Sequence, residues 1–154
     1  MTKPLELHII LDKVRAYAHT DTVREAILAL SPMTDVVAVN GALDDVEETD
    51  AVIRRLGTWP ILPDFDINDV FDEVSGGRVL SIREILVVLL FLKMERDVKE
   101  HLAKAMRLDL VGPLLQGYKA ALSDHGALRM SISSKIDDDG VVFDYATVDL
   151  SRIR

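Results

Sequence analysis

The stretch Leu80–Met106, "LSIREILVVLLFLKMERDVKEHLAKAM", decides how this chain folds. Ser81 followed three residues on by Glu84 is a capping box, in which hydroxyl and carboxylate each take a backbone N–H left orphaned at a helix start. No glycine or proline interrupts Ile82–Met106. The spacing therefore predicts one helix from Ser81 to about Ala105. Its first half holds "ILVVLLFL", Ile85–Leu92, which is apolar on nearly every face. Such a helix must be covered on most sides, and Leu86, Leu89, Leu90 and Leu92 are its expected core residues. The second half, Lys93–Met106, turns charged and amphipathic and predicts an exposed extension. The apolar run is far shorter than the ~20 residues that cross a bilayer.

Working back toward the start, helical periods recur. Leu7, Ile10, Leu11, Val14, Tyr17 and Ala18 predict a first helix over 5–18. Thr20 or Thr22 can cap a second over 22–30, with Glu25 completing a capping box after Thr22 and Pro32 stopping it. Thr34 or Asp35 can cap a third, whose stripe Val39, Leu43, Val46, Ile53 and Leu56 runs to Gly57. "TWPILPDFD", Thr58–Asp66, is a stiff proline-bearing connection, in which the single Trp59 is expected to plug the core rather than to stack on a ligand. A short helix over 67–74 precedes Gly76 and Gly77. Beyond the central helix, Pro113 opens another that reaches Ala121 or Leu122, and Leu128–Ser134 adds one or two turns. "IDDDGVVF", Ile136–Phe143, carries an Asp139-Gly140 pair that predicts a small two-stranded ribbon. Thr147 then caps a helix opened by Asp149, Leu150, Ile153 and Arg154.

Composition bounds what this arrangement can do. With 154 residues, 49% of them hydrophobic and only 5% aromatic, the chain can bury an aliphatic core and favours helices over a sandwich. It has no cysteine, which removes disulfides, thiolate metal sites and a cysteine nucleophile. A formal charge of -8 opposes nucleic-acid phosphates, and no basic patch offsets it. The opening "MTKPLELHIILDK" is broken by Pro4, Glu6, His8 and Asp12, unlike a signal peptide. These features predict a cytoplasmic protein with no membrane partner.

Motifs for chemistry fail on inspection. In "GPLLQGYKA", Gly112–Ala120, Tyr118 intervenes between the second glycine and Lys119, and Ala120 follows that lysine where a phosphate loop has a hydroxyl. Aligning Gly140 with the invariant glycine of a calcium loop puts Lys135 and Ala146 at ligand positions. The acidic run Asp44–Asp50 reads as a solvated helix face. His8, His19, His101 and His125 lack zinc spacing and are expected at the surface or at helix ends. Ser131, Ser133 and Ser134 lack a nucleophile elbow. No catalytic, cofactor-binding or metal-binding residue is assigned.

The order of motifs carries more than any one of them. "LELHIILDKVRAYAHT", "LSPMTD", "VEETDAVIRRL", "SGGRVLSIREIL" and "IDDDGVVFDYATVDLSRIR" follow one another as in the N-terminal core region of the MutS superfamily. The chain resembles most closely the second bacterial branch, whose members lack the mismatch-reading domain. It departs from them at Thr58–Asp66, where they carry a glycine-rich segment, and at Asp21–Arg24. The resemblance implies a mainly α, multi-helix bundle, with a small β-hairpin near 135–144 before the start of a lever helix. It implies that residues 1–154 form a single helical core domain, a fragment of a longer chain. Its expected role is non-catalytic: anchoring the lever of a DNA repair or recombination ATPase and transmitting ATPase-driven motion to a DNA clamp. ATP and Mg belong to the parent protein, and none is expected in this fragment. The implied partners are the remainder of the parent chain (lever, clamp and ATPase), branched or mismatched DNA through that parent, and a second copy as a homodimer. Leu86, Leu89, Leu90 and Leu92 in the core, and Asp139, Gly140 and Asp144 at the junction, are the residues expected to matter. The alternative is a stand-alone helical interaction module docking through Lys93–Met106.

Overall fold

The computed structural model describes residues 6–62, 67–144 and 146, and among these it holds seven α-helices and no β-strand. The chain divides after Asp66 into two compact units. The expectation of a mainly α fold is met.

The first unit holds α1 (Leu7–Arg15), α2 (Asp21–Leu28) and α3 (Val36–Leu56). α1 packs on α2. The cap of α2 is Thr20, whose hydroxyl accepts from Val23 N, so the Thr22–Glu25 box does not form. Asp35 caps α3 through Val37 N at 2.8 Å, and Gly57 ends it at φ +86°. Of the α3 stripe, Val39 and Leu56 are half-buried. Val52 is fully buried, while Leu43, Val46 and Ile53 are exposed. Trp59 is half-buried.

The second unit holds α4 (Asn68–Ser75), α5 (Ile82–Arg107), α6 (Pro113–Ala121) and α7 (Gly126–Ser133). α5 is its axis, in contact with α6 and α7. Phe71 of α4 meets Phe91 of α5 edge to face, with ring centroids 6.0 Å apart. Leu89 and Leu92 are buried as expected and Leu86 is half-buried, but Leu90 is 42% exposed. A run apolar all round carries no moment to say which side faces out, and here it is Leu90's. The second half of α5 is no free extension either, because Leu102 and Ala105 are buried. Glu95, nearly buried, pairs with Lys99 at 2.8 Å and with His125 Nδ1 at 3.1 Å, and Lys99 also donates to the Ser123 carbonyl. The loop between α6 and α7 is thereby tied to α5.

α4 and α5 end in the same motif with different residues. After α4, Gly77 at φ +78° lets its N–H reach Val74 O and Arg78 N reach Glu73 O. After α5 the equivalent residue is Asp109 at φ +56°, with Asp109 N on Met106 O and Leu110 N on Ala105 O. A side chain in the left-handed region costs roughly 1–2 kcal/mol, though aspartate tolerates it better than most. Asp109→Gly is therefore expected to raise stability by about 0.5–1 kcal/mol. A denaturation midpoint that fails to rise, with unchanged slope, would count against this capping geometry.

Candidate functional site at the α5 junction

The start of α5 is built by charge and capping. Ser81 Oγ accepts from Glu84 N, and the Ser81 N–H and hydroxyl both donate to Glu84 Oε2 at 2.6 Å, so the predicted capping box is complete. Arg78 bridges the Glu84 carboxylate to that of Glu73 on α4. The Ser81 hydroxyl first, then the Ser81 backbone N–H and Arg78, hold the Glu84 pKa down from 4.5 to about 2. Hydrogen bonds to Glu73 and then Glu84 raise that of Arg78. Because the folded value of Glu84 is the depressed one, its stabilising contribution is complete above about pH 4.5 and fades as the pH falls toward 2. Hydrogen exchange at the first turn of α5 should accelerate relative to the rest of the helix across that window. Glu84→Gln should remove that dependence, and an unchanged profile in the variant would sink the assignment.

The segment 136–143 closes against this same end of α5. Ile136 and Val142 form one antiparallel bridge, with Asp137 N on Val141 O and Phe143 N on Lys135 O. The two-stranded ribbon expected near 135–144 is thus corrected to a single bridge around a turn. Asp137 explains the difference: its Oδ1 accepts from Asp139 N at 3.0 Å and Val141 N at 2.7 Å, taking up N–H groups inside the loop. Gly140 N reaches Asp137 O, and Gly140 alone in the turn has positive φ, +85°. That is a three-residue loop with glycine in its left-handed position, rather than a two-residue turn with both central residues left-handed.

Gly140 also seats the turn. A Cβ built there would lie 3.2 Å from both Ile82 Cγ2 and Leu86 Cδ1 of α5. Lys93, further along α5, donates to Asp138 at 2.5 Å. Of the junction residues singled out, Gly140 makes this close approach, while Asp139 and Asp144 are exposed. Sequence reasoning missed Asp137, Asp138 and Lys93. An aspartate two residues before an Asp-Gly pair was the available signal for the first; the Lys93–Asp138 pair joins distant positions and had none. The segment from Thr147 onward, read as a new helix, lies outside the described residues.

The other sequence candidates fall as follows. Gly112 is the N-cap of α6 and Gly117 lies within α6, so "GPLLQGYKA" is helical and not a phosphate loop. His8, His19 and His125 are exposed, but His101 is half-buried within α5, correcting its expected place at a surface or helix end. Burial first, and then Lys104, push its pKa down. Among the described residues no group of three or more His, Asp or Glu is placed to hold a metal ion. Among the same residues no helix is long and apolar enough to cross a membrane.

The contacts described above at the junction are of packing, capping and ion pairing, which suit a helical scaffold. Comparison with known proteins gives that scaffold its kinship. The chain is 35% identical over 151 residues to the endonuclease MutS2 of Bacillus velezensis, 28% over 150 to the putative endonuclease MutS2 of Bacillus subtilis, and 27% over 158 aligned positions to an endonuclease MutS2 of Listeria monocytogenes. These matches take in 97%, 97% and 100% of this chain, but it spans only about a fifth (19%, 19% and 20%) of the curated relatives' length. Along nearly its whole length the chain is thus similar to a segment of MutS2 proteins, a branch of the MutS superfamily. No family model matches it. No solved structure matches it either.

Proposed function

We propose that the chain is a non-catalytic structural core of a MutS2-type DNA repair or recombination protein. In this reading it anchors a lever and passes ATPase-driven motion to a clamp on branched or mismatched DNA. The observation that carries the reading is the match along 97% of the chain to a fifth of a protein named as an endonuclease. Geometry supports a mechanical part: α5 is an unbroken helix of 26 residues, about 39 Å long. The 137–141 turn is fastened to it at Gly140 and at Lys93, so displacement of one is carried to the other. ATP, Mg and the hydrolytic residues belong to other regions of the parent protein.

Two measurements test this. The reading frame in the source genome should continue into a phosphate-loop ATPase, and a stop after Arg154 would sink the proposal. In the full-length protein, Gly140→Ala should leave basal ATP hydrolysis near its original rate while lowering its stimulation by branched DNA several-fold. Equal loss of both, or of neither, would remove the junction from the transmission path.

A further inference from the structure

α3 is apolar on two opposite sides. Val52 is fully buried on one. At 3.6 residues per turn, Val36, Leu43 and Asp50 lie roughly 160–200° around the helix from it, with Val39, Val46 and Ile53 at their flank. Leu43 is 60% and Val46 66% exposed, and Val36 is more exposed still. A helix with apolar residues around most of its circumference is ordinarily covered around most of it.

The exposed side is shaped to receive another helix. Leu43, Val46, Glu47, Asp50, Ala51 and Arg54 line a shallow cleft. The first four stand at i, i+3, i+4 and i+7, and Glu47, Asp50, Ala51 and Arg54 repeat that pattern one turn on. Each set is the four-residue hole that accepts one side chain of a neighbouring helix in knobs-into-holes packing. The surrounding charge selects among helices. Asp44, Asp45, Glu47, Glu48 and Asp50 outnumber Arg54 and Arg55, and Arg54 is already paired with Asp50 at 2.6 Å. A second copy of α3 would bring the same acidic excess, and like charges across an interface oppose association.

We propose that the Val36–Arg54 side of α3 docks an amphipathic partner helix whose apolar stripe is flanked by lysine or arginine. Its knobs fill the two holes and its cations meet the carboxylates at their rim.

The 154-residue chain, titrated with a peptide about three heptads long that has leucines on one face and lysines beside them, tests the idea by fluorescence anisotropy near physiological salt. A glutamate-flanked peptide and a scrambled lysine peptide serve as references. The lysine-flanked helix should bind best, and the double variant Leu43→Gln/Val46→Gln should weaken it about tenfold or more. Both changed residues are exposed and glutamine is a good helix former, so unchanged helicity by circular dichroism is expected of the variant. Val79→Gln, at an exposed position in the other unit, should leave binding as it was. Equal binding of either reference peptide, equal binding by the double variant, or a chain that dimerises in sedimentation and loses its dimer in that variant would each overturn the proposal.

Discussion

Leu89→Ala is expected to destabilise the second unit by about 3 kcal/mol, within the ~2–5 kcal/mol found when a buried leucine is cut back to alanine. Leu89 is 2% exposed on α5, the helix that α6 and α7 both touch, so a cavity there has neighbours on several sides. The informative control is the next residue. Leu90 points about 100° away around the helix and is 42% exposed, so Leu90→Ala should cost no more than about 0.5–1 kcal/mol. Hydrogen exchange of the α5 amides reads the second unit alone, which global unfolding does not. Similar losses in the two variants would mean that α5 presents a different face to its neighbours.

That pair of leucines also marks where the sequence stops being readable. The start of α5 was legible, because Ser81 and Glu84 act within four residues of one another. So were both ends of α3, where Asp35 caps and Gly57 ends the helix at positive φ. Facing was not. In "ILVVLLFL" every rotation of the helix buries comparable apolar area, so the choice between Leu89 and Leu90 falls to the elements that arrive from elsewhere in the chain. In α3 the period was real, yet three of its five stripe residues, Leu43, Val46 and Ile53, are exposed, while Val52, outside the stripe, is fully buried. Periodicity reports that a face is apolar and cannot say which of two apolar faces is taken first.

At the junction the division falls between local and distant contacts. Asp139-Gly140 announced a turn, but the turn type depended on Asp137, whose carboxylate satisfies two N–H groups that strand pairing would otherwise claim. What fastens the turn, Ile82 and Leu86 beneath it and Lys93 beside it, lies in another element and left no trace in the local sequence.

Gly140→Val tests both parts at once and is expected to cost about 2–3 kcal/mol. One contribution is conformational: at φ +85° a β-branched residue is a steric outlier, and even an unbranched side chain in the left-handed region costs roughly 1–2 kcal/mol. The other is space, since a Cβ would already stand 3.2 Å from Ile82 Cγ2 and Leu86 Cδ1 and valine adds two methyls beyond it. Those neighbours can move by a few tenths of an ångström for a Cβ, whereas the extra methyls require the turn to lift from α5. Gly117→Ala is the counterpart in the same unit: within α6, with nothing within 4 Å of its built Cβ, it should stabilise by roughly 0.5–1 kcal/mol. Lifting of the turn should also expose Leu86 and lengthen the Lys93–Asp138 pair, so faster amide exchange at Val141 and Phe143 should accompany the stability loss. A Gly140→Val protein as stable as the original, with those amides still protected, would mean that the turn neither needs positive φ nor rests on α5, and the mechanical role proposed for the junction would fall with it.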